Sequence, residues 1–248
     1  ENIVDKLRGM FSFAIWDKDS KIVFIARDRM GVKPLYYLKN ESYFVFSSEI
    51  KSICYYLNYE ISINEEALSH YLTLAVAPAP MTMFSQINKL EPGGALTISF
   101  DGNLDKNIYW NPISSDSEKY KESSEKEMIQ SLKSKIIESI SLRTMSDVPI
   151  GVFLSGGLDS SLNVAIMSEM TDSPINTFSV SIKDDELSNE KSEARYVADY
   201  YKTNHHEIEI SSDDIISFLP EMVKYQDEPL ADPVCVPLHF VSQLAKEN

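Results

Sequence analysis

The chain has 248 residues, 43% of them apolar and 25% charged, which is enough to build buried cores and excludes global disorder. Its 38 Asp and Glu against 23 Lys and Arg leave a formal net charge of -15, which argues against partners held by clustered cations, such as duplex nucleic acid or an anionic membrane surface. Two cysteines, Cys54 and Cys235, are too few for a disulfide framework, so a cytoplasmic setting is expected; no run of about 18 apolar residues is present to cross a bilayer.

Glu1 stands where an initiator Met is usual, and no charged-then-apolar leader follows, so a segment of a longer protein is expected. Phe11, Phe13 and Ile15 alternate with Ser12, Ala14 and Trp16, and Asp17-Lys18-Asp19-Ser20 supplies turn chemistry before the apolar run 22–26. This pattern predicts a β-hairpin. Residues 35–38 and 43–46 flank Lys39-Asn40-Glu41-Ser42 and predict a second. Helices are predicted over 48–56 and 64–74, with Pro78 and Pro80 closing the latter. Residues 95–100, Asp101-Gly102 and a segment ending at Tyr109-Trp110 read as one more hairpin. Residues 1–112 therefore read as a strand-rich α+β domain.

Residues 111–124 are rich in Ser and poor in apolar side chains, and a linker is placed over 113–123. Beyond it the apolar period changes from two to 3.6. Ser124 and Glu127 form a capping-box pattern, and Met128, Leu132, Ile136 and Ile140 step by four along one stripe, which predicts a helix over 125–145. A strand (150–154), a helix (160–170), a strand (177–182), a helix (189–202), a strand (206–210) and a helix (213–225) follow. Strands alternating with helices predict a doubly wound α/β domain with a parallel sheet over 124–248.

Ser155-Gly156-Gly157-Leu158-Asp159-Ser160-Ser161 sits between a buried strand and a helix. In such a sheet, ligands settle beyond the carboxyl ends of the strands. Two glycines let the backbone approach an anion, the helix start offers unpaired amides, and the serines add hydroxyls. Asp159 would repel a bare phosphate, yet it becomes sensible with Mg²⁺ between them, so a Mg-nucleotide is inferred. A tight strand-to-helix turn capped by a serine is the plainer explanation of any short Gly-Gly-x-Asp string; the full seven residues in this setting outweigh it. The patterns GxxxxGK[ST] and GxGxxG are absent, which disfavours γ-phosphate transfer and dinucleotide binding.

This turn resembles the PP-loop, Ser-Gly-Gly-x-Asp-Ser, of the N-type ATP pyrophosphatases (adenine nucleotide alpha-hydrolase-like). With the preceding Ser146-Asp147-Val148-Pro149-Ile150-Gly151-Val152-Phe153-Leu154 it is similar to the glutamine-dependent asparagine synthetase family. In the first half, the segments 8–17, 26–37, Ser47-Ser48-Glu49 and Leu90-Glu91-Pro92-Gly93-Gly94 resemble the later part of that family's glutaminase domain, of the N-terminal-nucleophile type. The resemblance implies an amidotransferase. A carboxylate, aspartate in the first reading, would attack the α-phosphorus of ATP, pyrophosphate would leave, and ammonia from glutamine would displace AMP from the acyl-adenylate.

Carried over onto matching positions, Ser155, Gly156, Gly157, Leu158, Asp159, Ser160 and Ser161 would bind pyrophosphate, with Asp159 holding Mg²⁺. Phe153, Leu154 and Val180 would line the adenosine pocket, and Met10 and Val32 would lie on the ammonia tunnel. Ordinary core packing is the competing reading for Phe153, Val180, Met10 and Val32. The implied partners are small molecules (aspartate, glutamine and ATP), with neither nucleic acid nor membrane, and the resemblance leaves room for a homodimer.

Departures from the pattern bear on activity. No Cys precedes Cys54, which lies in an apolar helix and reads as packed, and the family's second synthetase motif is not found. No catalytic residue is assigned, and the chain alone is expected to be incomplete for glutamine hydrolysis and synthesis. Leu230-Ala231-Asp232-Pro233-Val234-Cys235 replaces the Thr-Thr-(Ile or Val)-Arg-Ala-Ser of many relatives, which keeps other carboxylates open as acceptors; a nucleotide-binding module without turnover is the third reading. His205-His206 project to opposite faces of a strand and read as structural. Asp184-Asp185-Glu186 reads as a solvated loop, and Tyr36-Tyr37 and Tyr55-Tyr56 as strand pairing and packing.

Overall fold

The computed structural model describes residues 3–57, 62–113, 124–183 and 190–248, so the linker from residue 114 and the acidic cluster at 184–186 lie outside the described residues. The chain divides into two compact units: Glu1–Ser115 with Tyr225–Ala231, and Asp116–Lys224 with Asp232–Asn248.

Unit 1 contains, in order, α1 (Ile3–Lys6), β1 (Ser12–Asp17), β2 (Ile22–Arg27), β3 (Tyr36–Lys39), β4 (Phe44–Ser47), α2 (Ile50–Leu57), α3 (Glu65–Leu74), β5 (Ile87–Lys89), β6 (Gly94–Ser99) and β7 (Leu104–Ile108). All three predicted hairpins form. The Asp17 carboxylate accepts the amides of Asp19 and Ser20 at 2.9 and 3.2 Å and so shapes the first turn. The strands make a four-stranded antiparallel sheet, β1-β2-β6-β7, and a three-stranded one, β4-β3-β5. Ile25, Leu35, Tyr37, Leu90, Leu96 and Ile98 form one core and Leu38, Ile50, Ile53 and Ile87 another. β5 escapes a sequence reading because it is short and alternates weakly; antiparallel pairing of Tyr36 with Lys89 and Leu38 with Ile87 creates it. Tyr55 is 91% exposed, so packing does not explain the Tyr55-Tyr56 pair.

Unit 2 holds α4 (Glu125–Arg143), β8 (Gly151–Phe153), α5 (Leu158–Met170), β9 (Asn176–Ile182), α6 (Glu190–Tyr201), β10 (Asn204–Ile210), α7 (Ser212–Tyr225, whose last residue is assigned to unit 1) and α8 (Cys235–Glu247). The capping box that starts α4 is present: the Ser124 amide donates to Glu127 at 2.8 Å and the Glu127 amide to Ser124 Oγ at 3.4 Å. Along its apolar stripe Met128 and Leu132 are exposed while Ile136 and Ile140 are half-buried, so α4 packs against α5 without burying any residue fully.

The three strands pair in parallel in the order β10-β9-β8. Val152, Leu154 and Ile175 meet Val164 of α5 and Ala194 and Ala198 of α6 on one face, while α8 packs against β9 and β10 on the other. A parallel α/β sheet with helices on both faces is therefore present. The strands follow chain order, however, and the reversal of order that defines double winding does not occur among the described strands. Gly151 is required here. A Cβ on it would lie 2.4 Å from the Phe178 ring, which packs across the edge strand.

Candidate functional site

β8 ends at Phe153, and its last sheet contact is the Leu154 amide donating to the Phe178 carbonyl at 2.8 Å. The Ser179 hydroxyl donates to the Leu154 carbonyl and fixes the same corner. The chain then turns through Gly156, whose φ of +81° lies in the left-handed region open to glycine, and enters α5 with Gly157 as its N-cap. The helix begins at Leu158, two residues before the predicted start, with Gly157 in the extended conformation usual for an N-cap.

Within the turn the serines bind one another and the backbone. Ser155 Oγ and Ser160 Oγ are 3.1 Å apart, the Gly157 amide donates to Ser155 Oγ at 3.3 Å, and Ser160 and Ser161 donate to the Gly157 carbonyl at 3.1 and 2.7 Å. The first bond inside α5 runs from the Ser161 amide to the Gly157 carbonyl at 3.0 Å. The amides of Leu158, Asp159 and Ser160 precede it and have no partner inside the helix, so they form, with the helix dipole, a pole for an anion. Leu158 contributes only its backbone, its side chain being 84% exposed.

A cavity of about 370 Å³ opens beside this turn, a size suited to a small-molecule ligand. Phe153, Phe178, Val180 and Ile182 line it from the sheet, and Val234, Pro237, Leu238 and Val241 from α8 and its approach. β9 runs on past the end of β8. Since the Phe178 carbonyl points toward β8, alternation directs the amide and carbonyl of Val180 the same way, beyond the last β8 contact. One donor and one acceptor thus sit side by side on a free strand edge, with apolar walls around them and the amide pole at the neighbouring turn.

The predicted residues Phe153, Leu154, Ser155 and Val180 all border this cavity, and Gly156 to Ser161 form the adjoining turn. Leu154 does so through its backbone alone, because its side chain is buried in the α5–α6 core. The α8 wall was missed in the sequence. Its signal is the spacing of Val234, Pro237, Leu238 and Val241, which recurs at three and four residues.

For a divalent cation, Asp159 is an exposed carboxylate in the first turn of α5, and no group of three His, Cys, Asp or Glu side chains converges among the described residues. One carboxylate beside a phosphate-sized anion pole fits Mg²⁺, which keeps several waters and binds through one or two carboxylates plus substrate phosphates. It does not fit a metal cage of the protein's own.

Met10 and Val32 lie in unit 1 with half-exposed side chains. The loop carrying Val32 is held from one strand end. The buried Asp28 carboxylate accepts the amides of Met30, Val32 and Lys33 at 3.1, 3.0 and 2.9 Å. Next to it, the Arg27 guanidinium donates to the carbonyls of Lys33 at 2.7 Å, Gly31 at 2.6 Å and Leu90. Burial alone would raise the Asp28 pKa, but the amides of Lys33, Val32, Phe11 and Met30 together bring it below the ordinary 3.8.

Cys54 packs against the Leu38–Ile53 core, where burial first and the charge of Asp227 second push its thiol pKa up, as suits a packed residue. His205 and His206 diverge as expected. His205 binds Thr177 Oγ1 at 2.8 Å and Glu207 at 3.1 Å, while His206 stacks on Phe178 with ring centres 5.1 Å apart.

Comparison with known proteins matches residues 131–248 to the asparagine synthase family and residues 1–110 to the glutamine amidotransferase domain family. The chain is 36% identical, over all of its length, to asparagine synthetase [glutamine-hydrolyzing] 1 of Bacillus subtilis and covers 38% of that protein. It is 34% identical over 98% of its length to a putative asparagine synthetase [glutamine-hydrolyzing] 2 of Methanocaldococcus jannaschii, covering 47% of it. A second Bacillus subtilis relative, asparagine synthetase [glutamine-hydrolyzing] 3, is 33% identical over the whole chain, which covers 42% of that protein. The chain therefore spans less than half the length of these relatives. Among solved structures, a glutamine phosphoribosylpyrophosphate amidotransferase from Bacillus subtilis aligns at TM-score 0.26 and 12% identity over 83% of this chain and 34% of the other, too distant to bear on the fold.

Proposed function

The chain belongs to the glutamine-dependent asparagine synthetase family, and on that premise we propose that unit 2 binds Mg-ATP and carries the adenylation half of an asparagine-forming amidation. The observation that carries the reading is the pairing of the Val180 edge, in the wall of one apolar cavity, with the amide pole at Leu158–Ser160 in the turn that adjoins it. A purine offers an acceptor and a donor side by side, which the Val180 amide and carbonyl complement; Phe153, Leu238 and Val241 would cover its faces. The Leu158, Asp159 and Ser160 amides would receive the phosphate chain.

In the proposed reaction the side-chain carboxylate of aspartate attacks the α-phosphorus, the bond to the β-phosphate oxygen breaks, and pyrophosphate leaves. Ammonia derived from glutamine then attacks the acyl carbon and gives up a proton, and AMP departs with the electron pair of the former carbon–oxygen bond of the mixed anhydride, leaving asparagine. The amide pole favours the leaving step because negative charge accumulates on pyrophosphate there, and preorganised donors in a partly dehydrated site stabilise it without reorientation. Asp159 would hold Mg²⁺, whose role is to neutralise phosphate charge. Unit 2 is read as the PP-loop pyrophosphatase fold, and Met10 and Val32 as part of the lining of an ammonia route, where apolar walls disfavour protonation of ammonia.

Calorimetric titration of Mg-ATP into the chain and its Asp159→Asn variant tests the site; equal affinity would contradict the metal assignment. Pyrophosphate release by the full-length protein with aspartate, against other carboxylates, tests the acceptor. Release that does not depend on aspartate would transfer the same chemistry to a different acid.

A further inference from the structure

Between α7 and α8 the chain leaves one unit for the other: Tyr225–Ala231 belong to unit 1, whereas Asp232–Asn248 belong to unit 2. Two carboxylates hold the stretch in unit 1. Asp227 Oδ2 accepts the Ile50 amide at 2.7 Å and Oδ1 the Lys51 amide at 3.3 Å, which caps the N-terminus of α2. Glu228 Oε2 accepts the Met83 amide at 3.0 Å, and Oε1 lies 2.6 Å from Lys89 Nζ, both side chains being only 14% exposed. Lys89 also donates to the Ala77 carbonyl at 2.8 Å, and the Ala231 amide to the Ala75 carbonyl at 3.3 Å. A nearly buried ion pair whose two members each also bind a backbone group is costly to break from one side.

The chain beyond this anchor has little slack. Asp232 and Pro233 alone separate Ala231 from Val234, the first residue of the α8 wall of the cavity. Fully extended, that stretch reaches only about 10 Å. It is not extended, since Asp232 Oδ1 accepts the Val234 amide at 3.0 Å and the Asp232 carbonyl accepts the Cys235 amide at 3.3 Å. Pro229 and Pro233 each fix a φ angle.

We propose that Asp227 and Glu228 are positioning residues: they anchor in unit 1 a short, stiff strap whose far end carries Val234, Pro237 and Leu238 of the nucleotide cavity, so that filling the cavity and tightening the anchor are one coupled equilibrium. The inference rests on the nucleotide reading above. Coupling of this kind is reciprocal, so each end reports on the other.

Hydrogen exchange on the full-length protein, with and without Mg-ATP, reads the anchor without any substitution. The amides of Ile50, Lys51 and Met83 are expected to gain protection when nucleotide binds. Glu228→Gln and Lys89→Met are each expected to weaken Mg-ATP binding about fivefold, and the double variant no further than either single one. A purely structural clamp would lower the melting temperature of these variants and leave both the affinity and the nucleotide response of the three amides unchanged; that result overturns the proposal. Absence of Mg-ATP binding in the unsubstituted protein, measured separately, would instead overturn the nucleotide reading and the coupling with it.

Discussion

The hydroxyl of Ser155, at the end of β8, lies 3.1 Å from the hydroxyl of Ser160, in the first turn of α5. The two side chains close the bend that Gly156 opens, and they do so with donors that an incoming phosphate can redirect at little cost. The geometry of this bend fixes where the Leu158 and Asp159 amides point.

Gly156→Ala is therefore expected to act twice. Its φ of +81° costs an L side chain about 1 kcal/mol, which denaturant unfolding measures. The turned amides would lose charge-assisted bonds to phosphate, weakening Mg-ATP binding about tenfold or more by calorimetry. Lower stability with unaltered affinity would detach the bend from the ligand.

Gly151→Ala is expected to destabilise the chain by about 1–3 kcal/mol through overpacking, since the added methyl would fall 2.4 Å from the Phe178 ring. The ring has little freedom to retreat, because it is buried and stacked on His206. Phe178→Leu should recover part of the loss in the double variant. Additive losses in thermal unfolding would show that the two positions do not meet.

Asp28→Asn is expected to cost about 1–3 kcal/mol, because a carboxylate that accepts three loop amides becomes a group with one acceptor oxygen and a misplaced donor. The sign of the pH effect follows from its depressed pKa. The contribution is fully present above the ordinary aspartate range and is lost as pH falls through the lower folded value. Stability of the parent should therefore drop faster than that of the variant on acidification below about pH 4, where unpaired aspartates titrate. Parallel acid profiles would refute this.

Tyr36 supplies an alkaline counterpart. Burial, then the charges of Glu228 and Asp227, push its phenol from the ordinary 10 up to about 12. A raised folded value means that the neutral ring's contribution persists below pH 10 and is lost as pH rises toward 12. Ultraviolet titration of the parent against Tyr36→Phe should remove one late phenolate step. Removal of a step near pH 10 would contradict the buried placement.

Much of the architecture was legible locally. The hairpins followed from alternating apolar residues around Asp17-Lys18-Asp19-Ser20 and Lys39-Asn40-Glu41-Ser42, and α4 from its capping box, because turns and caps are satisfied by neighbours in the chain. The apolar stripe of α4 located the helix but not its burial, since periodicity shows which face is apolar and not how fully anything covers it. The cavity was half visible: its sheet side and glycine turn are contiguous motifs, whereas the α8 wall arrives from far along the chain.

By itself, then, the sequence determined the elements whose bonds close within a few residues, including the glycine bend and its amide pole. Tertiary structure alone decided that β5 is a strand, that Asp227 caps a helix whose first amide is 177 positions away, and that Glu228 meets Lys89 across 139. Those pairings satisfy buried donors and charges through space, and a buried polar group requires a partner nearby without any requirement on how far along the chain that partner lies.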